Sequence, residues 1–251
     1  MTEHLQIRQE GSRLRCILDR PAARNALDTV MLERLLAALA QAGCEEALRC
    51  ITLESAHPTA FCAGIDLRER RTLTPEGMAR QSGLVLALVQ ALVQAPVPVV
   101  VAIDGWCLGA GLEIALACDL RIAADSARFG FPEMDLGTYP GGGGTVMLGR
   151  LLGPGRAMEL LLGPARFDAP RALEQGLVSA VVPAMELQAA VQRQATRMEA
   201  LVPAAVRAVR RSLYDTATLP LQEAFAHDQS LRRPLDAGGD YRGRMVAFGR
   251  A

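Results

Sequence analysis

The chain contains no lysine: its 27 basic residues are all arginine, and 27 aspartates and glutamates balance them. Schiff-base chemistry and Walker-type phosphate loops both need an amine at a set place, so both are excluded. The even charge leaves no basic field for nucleic acid or an anionic membrane surface, and neither is expected as a partner. Histidine is scarce too. His4, His57 and His227 are too scattered for a metal site or a Ser-His-Asp set, and no Gly-x-Ser-x-Gly elbow occurs. The six cysteines (Cys16, Cys44, Cys50, Cys62, Cys107, Cys118) have no Cys-x-x-Cys spacing, and the N-terminus carries no signal-peptide pattern. Reduced, buried thiols in a cytoplasmic protein are expected. Aromatic residues make up only 4% of the chain, while half is apolar and 23 residues are glycine. That is the composition of a soluble α/β protein, long enough for one large domain or a domain with a small appendage.

One uncharged stretch, residues 84–103, is long enough to span a bilayer. Pro96 and Pro98 split it, and Gln90 and Gln94 share one helical face, so it reads as a helix ending near Ala95 and then a buried strand over 97–103. Upstream, alternation at Leu5, Ile7, Leu14, Cys16 and Leu18 around Glu10-Gly11-Ser12 predicts a hairpin. Asp28 caps a helix with an apolar stripe at Met31, Leu32, Leu35, Leu36 and Leu39. A short buried strand over 50–53 is followed by a loop over 57–64. A helix from about Pro75, the 97–103 strand, a helix carrying Glu113 and a strand over 120–124 come next. Strands alternating with helices imply parallel βαβ units. From Met185 the pattern is helical, broken at Pro203, Pro220 and Gly238-Gly239. The expected division is an α/β core over 1–190 and a helical segment over 191–251, packed on the body or on another subunit.

The most informative stretch is Asp104-Gly-Trp-Cys-Leu-Gly-Ala-Gly-Leu-Glu113. A buried strand runs into a glycine-rich turn and then a helix whose first residues include a carboxylate. Free N–H groups at such a turn stabilise negative charge, and the carboxylate is placed for proton chemistry beside it. A second glycine-rich turn, Gly141–Gly144, opens another helix. Neither is a nucleotide loop: the first lacks the third glycine and the acidic ribose partner, the second its lysine. Glycine runs also serve tight helix–strand packing. Likewise Glu113 could complement its helix dipole and Glu133 could be a solvated turn residue.

Six blocks then stand together: Pro21-Ala-Ala-Arg-Asn-Ala-Leu27, Phe61-Cys-Ala-Gly-Ile-Asp-Leu67, the 104–113 stretch, Ala117-Cys-Asp119, Phe129-Gly-Phe-Pro-Glu133 and Leu136-Gly-Thr-Tyr-Pro-Gly-Gly-Gly-Gly-Thr145. In this order they resemble the enoyl-CoA hydratase/isomerase (crotonase) family over nearly the whole chain. The resemblance implies a crotonase (ClpP-like) α/β fold of repeated ββα turns with a C-terminal helical region, assembled as a homotrimer or a hexamer built as a dimer of trimers. It implies an acyl-CoA thioester substrate, with CoA part of that substrate and no separate cofactor or metal. The thioester oxygen would lie between the amides of Ile65 and Ala110, each worth roughly 3 kcal/mol to a developing oxyanion. Glu113 and Glu133 would be the catalytic pair, Glu113 activating water and Glu133 supplying a proton to the α-carbon. Substrate contacts would come from Ala63, Gly64, Asp66, Leu67, Arg68 and Tyr139, with Asp66 pinning its loop rather than reacting, Arg24 near the CoA phosphates and the C-terminal helices completing the CoA site. Trp106 is expected to pack beneath the turn or to shape the acyl pocket, and His57 to be an exposed loop residue. Residues 72–89 and Tyr139 would set acyl specificity. Ala110 replaces the commoner glycine, which a negative φ allows, and Gly243-Arg244 stands where an acidic residue and a glycine are usual. Two glutamates favour hydration of a 2-enoyl-CoA, or the reverse dehydration. A double-bond isomerase needs only one carboxylate, and a non-catalytic acyl-CoA-binding oligomer needs neither. Asp135 is the nearest candidate for the nucleophilic aspartate of other branches.

Overall fold

A computed structural model describes residues 4–164 and 166–248. Strands β1 (Leu5–Glu10) and β2 (Arg13–Leu18) form the expected hairpin, in register from Leu5 opposite Leu18 to Glu10 opposite Arg13. Asp28 caps α1 (Thr29–Ala42), its carboxylate accepting from Met31 N at 2.8 Å. Met31, Leu32, Leu35 and Leu39 are buried on its inner face.

Three turns of strand, strand and helix come next. Strands β3 (Cys50–Ser55) and β4 (Ala60–Cys62) lead into α2 (Leu67–Arg70) and α3 (Pro75–Val93). Strands β5 (Val99–Ile103) and β6 (Trp106–Leu108) lead into α4 (Ala110–Leu116). Strands β7 (Leu120–Ala124) and β8 (Arg128–Gly130) lead, after a short 3-10 turn, into α5 (Gly144–Leu152). Beyond them lie α6 (Pro154–Leu162), β9 (Phe167–Asp168), α7 (Ala169–Glu174) and β10 (Ala180–Val182). In each turn the first strand joins one sheet, ordered β1-β2-β3-β5-β7-β10, and the second joins another, ordered β4-β6-β8-β9. Strands β2 to β10 of the first sheet are parallel, as are β4, β6 and β8 of the second.

The stretches expected as a loop over 57–64 and as a bare glycine turn after residue 103 each hold a three-residue strand, β4 and β6. Strands this short offer too little alternation to register in the sequence. Gly105, with φ +61°, turns the chain from one sheet to the other, and a Cβ there would lie 2.2 Å from Thr59 O. The uncharged stretch is a helix that ends at Val93 and a strand that begins at Val99. Among the described residues no helix is long and apolar enough to cross a membrane.

The inner strands β3, β5 and β7 of the larger sheet are buried on both faces, which explains their uninterrupted apolar runs. Val99, Val101 and Ile103 of β5 face α1, α3 and α4, whereas Val100 and Ala102 face the opposite side. That side is covered by α8 (Leu187–Glu199) through Leu187, Ala190, Val191 and Ala195. This helix straddles the division expected at residue 190 and is part of the core. All six cysteines are free; Cys44, expected buried, is exposed just beyond α1.

The chain ends in α9 (Pro203–Asp215), α10 (Leu221–Ala237) and α11 (Gly239–Phe248), with breaks at the prolines and glycines that predicted them. Arg210 fastens α9 to the body. Only 7% exposed, it donates to Val97 O at 2.9 Å, to Asp119 at 3.1 Å, and to the α3 carbonyls of Leu92 and Val93 at 3.2 and 3.1 Å. It thus satisfies the orphan carbonyls at the end of α3 and neutralises a carboxylate. Arg210→Met strands these acceptors, so we expect a loss of about 3 kcal/mol in unfolding free energy. A denaturant titration giving wild-type stability would show that Arg210 is not the fastening.

Candidate active site

Strands β4, β6 and β8 are neighbours and parallel, so their C-terminal ends reach one edge of the smaller sheet. Such an edge is where open α/β sheets bind ligands. Each strand end delivers a group the chemistry needs: Ile65 after β4, Ala110 and Glu113 after β6, and Glu133 after β8.

Ile65 is held by Leu27. The Leu27 N–H donates to Gly64 O at 2.8 Å, and Leu27 O accepts from Asp66 N at 2.9 Å. In this parallel bridge the N–H of Ile65 itself must point away from Leu27. Asn25, buried, keeps the loop in place by donating to Ala60 O and Phe61 O, while Arg24 O accepts from Ala63 N at 3.1 Å. Ala110 opens α4, where the first N–H groups have no intrahelical partner. Its φ is not positive, so the methyl group is accommodated. Neither the Ile65 nor the Ala110 amide donates a hydrogen bond within the described residues. The two loops touch: a Cβ on Gly64, whose φ is +100°, would lie 3.6 Å from Ala110 N.

Glu113 is 3% exposed. One carboxylate oxygen accepts from Gly144 N at 2.8 Å, and the Gly142 amide also bonds the group. Burial pushes its pKa up, and the two amides pull against that shift. The glycines are required here, since a Cβ at Gly144 would lie 2.7 Å from Glu113 Cγ, and one at Gly142 would lie 2.9 Å from its Oε2. Glu133 begins the 3-10 turn Met134–Leu136, and its main-chain oxygen accepts from Leu136 N and Thr138 N, both at 3.0 Å. Its Oε2 is buried without a hydrogen-bond partner. Burial, reinforced by the Glu113 charge, raises its pKa to about 7. Gly109 makes room for this carboxyl, because a Cβ there would lie 2.5 Å from Glu133 Oε1.

Both carboxyls face one cleft of about 380 Å³. Of the residues singled out in the sequence, Ala63, Gly64, Ile65, Leu67, Glu113, Glu133 and Tyr139 line it, and the Ala110 amide adjoins it at Gly64. Tyr139 is 62% exposed and stands at the rim. One expected substrate contact is corrected, and the expectation that Asp66 pins its loop agrees with its bonds. Asp66 is 4% exposed and spent on structure: it caps α2 by accepting from Arg68 N and Glu69 N and pairs with Arg20. The side chains of Arg24 and Arg68 are exposed outside the cleft. Trp106 lies outside it as well, its ring 5.1 Å beneath the Arg166 guanidinium. His57 is half-buried and 2.9 Å from Asp19.

Ser82 and Val85 line the cleft from within the 72–89 stretch expected there, whereas Arg70, which also lines it, was missed. Residues two apart on a helix point to nearly opposite sides, so α2 turns Arg68 to solvent and Arg70 inward. In the run Arg68-Glu-Arg-Arg71 nothing distinguishes them until the helix phase is known. For the carboxyl pair, a ¹³C NMR titration of glutamate-labelled protein should reveal one carboxyl with a midpoint near 7, shifted downward in Glu113→Gln. A Glu133 midpoint in the ordinary carboxylate range would contradict the burial described.

The family model described as enoyl-CoA hydratase/isomerase matches residues 10–248. The 2,3-dehydroadipyl-CoA hydratase of Escherichia coli is 35% identical, covering 99% of this chain and 96% of that protein. An enoyl-CoA isomerase/hydratase of Mycosarcoma maydis is 34% identical over 92% of this chain and 88% of its own length. The crystal structure of an enoyl-CoA hydratase from Bacillus anthracis superposes with a TM-score of 0.95 at 32% identity, covering 99% of this chain and 96% of that one. With fold, strand-end edge and sequence in agreement along almost its whole length, the chain belongs to the enoyl-CoA hydratase/isomerase family and has the crotonase fold.

Proposed function

We propose that the cleft hydrates a 2-enoyl-CoA thioester to the 3-hydroxyacyl-CoA and catalyses the reverse dehydration. The observation that carries this reading is the pair of carboxyls in unlike environments beside two unpaired amides. Glu113 receives two amide N–H groups, which favour its anion, whereas Glu133 has a bare oxygen and a pKa of about 7. One fold thereby supports a base and an acid at neutral pH.

The thioester oxygen accepts from the Ile65 and Ala110 amides. Glu113 takes a proton from water as the water oxygen bonds to the β-carbon, and electron density moves onto the thioester oxygen as an enolate. The two amides hold that charge, each contributing about 3 kcal/mol to the transition state. Glu133 then gives its proton to the α-carbon. Water has been added across the double bond, and exchange with solvent returns the proton from Glu113 and reloads Glu133. The exposed arginines outside the cleft, Arg24 and Arg68, are assigned to the CoA phosphates.

Loss of crotonyl-CoA absorbance measures the reaction. Glu113→Gln and Glu133→Gln should each lower kcat by about 10²–10⁴-fold. Because Glu133 must hold a proton and Glu113 must not, kcat/KM should fall as pH rises through about 7 and fall again in acid. Conversion of 3-enoyl- to 2-enoyl-CoA without hydration would replace this reading with the isomerase one. CoA-thioester binding without any turnover would leave an acyl-CoA-binding oligomer.

Assembly with further copies of the chain, as a trimer or a dimer of trimers, is part of the same proposal. It is supported by Val209, Leu213, Leu221 and Phe225 of α9 and α10, apolar and exposed in the single chain. Sedimentation equilibrium should give three or six copies, and a monomer at micromolar concentration would refute it.

A further inference from the structure

Arg70 is the only cation among the described residues that line the cleft. Its guanidinium donates to neutral oxygens alone: Gln81 Oε1 at 3.0 Å, Met78 O at 3.4 Å and the Ser82 hydroxyl at 3.3 Å. No carboxylate among the described residues pairs with it. The adjacent Glu69 accepts instead from Thr29 N and Gln81 Nε2, at 2.9 and 2.8 Å. A guanidinium carries five N–H donors in a planar fork, so donors remain for a ligand.

Its place in the cleft is set by two helices. α2 leads away from Ile65, where the thioester oxygen would be held, and Arg70 at its far end reaches Gln81 and Ser82 of α3. One turn along α3, Val85 meets Gly142 at the Glu113 carboxylate: a Cβ on Gly142 would lie 2.4 Å from Val85 Cγ1 and 2.9 Å from Glu113 Oε2. The guanidinium thus lies on the wall that α2 and α3 give the cleft, which Val85 continues to the Glu113 carboxylate and along which an acyl chain extending from the Ile65 amide would lie.

We infer that the acyl group this cleft selects carries a carboxylate at its distal end, a short dicarboxylic half-thioester whose free carboxylate docks on Arg70. The inference rests on the reading of the cleft as an acyl-CoA site and names the substrate class within it. A planar fork matches a carboxylate bidentately and gains a charge-assisted pair. A neutral chain reaching the same wall strips water from the guanidinium and returns nothing, which disfavours it. Discrimination comes from both sides of that difference.

Calorimetry with saturated thioesters reads this inference independently of turnover. Adipyl-CoA should bind at least about tenfold tighter than hexanoyl-CoA or the monomethyl ester of adipyl-CoA. The ratio should shrink in Arg70→Lys, which keeps the charge without the fork, and approach unity in Arg70→Met. Equal affinity of the wild-type protein for the three ligands overturns the inference whether or not any variant folds. So does a preference that survives in Arg70→Met. If adipyl-CoA is preferred but crotonyl-CoA is not hydrated, the reaction assignment fails and the Arg70 assignment stands. If none of the thioesters binds, both fail.

Discussion

A carboxylate buried among apolar side chains has to be satisfied, and the site is organised around how this protein satisfies Glu113. Removing such a group from water costs several kcal/mol. The amides of Gly142 and Gly144 offset that cost, and they approach closely only because neither residue has a Cβ to collide with the carboxyl. The contact joins α4 to the start of α5, so one interaction places this carboxylate and closes the wall of the cleft. Its charge also helps keep Glu133 protonated near neutral pH. Burial raises both carboxyls, and amide donors oppose the rise at Glu113.

The two-sheet architecture makes that arrangement possible. Each ββα turn commits its first strand to the inner part of the larger sheet, buried on both faces, and its second to a smaller parallel sheet. Parallel neighbours end at the same edge, so segments far apart in sequence leave β4, β6 and β8 side by side. The free amides of Ile65 and Ala110 come from the first two of these exits and the carboxyls from the second and third. Close contact between exits demands glycine. Gly111, for instance, lets α4 approach β4 so nearly that a Cβ would lie 2.6 Å from Cys62 O. The glycine runs answer backbone approach and carboxylate access, not phosphate binding.

Buried periodicity was the most legible layer. The Asp28 cap, the β1–β2 hairpin, the proline-split apolar stretch and the helix breaks at Pro203 and Pro220 derive from local chemistry, and the structure places them where local chemistry requires. Strands of three residues were not legible, because alternation over so short a span is indistinguishable from a loop. Asp66 and Glu113 were told apart in the sequence, one expected to pin its loop and the other to do proton chemistry. Both are acids beside glycine-rich loops, yet one is used up as a helix cap and the other faces the cleft. Arg70 escaped notice because direction on a four-residue helix depends on its phase, which a run of arginines and one glutamate does not announce.

The amino-acid sequence by itself determined the absence of amine chemistry, the parallel α/β build, the family and the two glutamates, since these rest on composition, periodicity and ordered motifs. Tertiary structure alone decided which polar groups share one cavity, that burial raises the Glu133 pKa to about 7, that the Trp106 ring lies under Arg166, and that Arg70 lines the cleft. Those outcomes depend on distance and desolvation between segments that are remote along the chain, and no local pattern encodes either quantity.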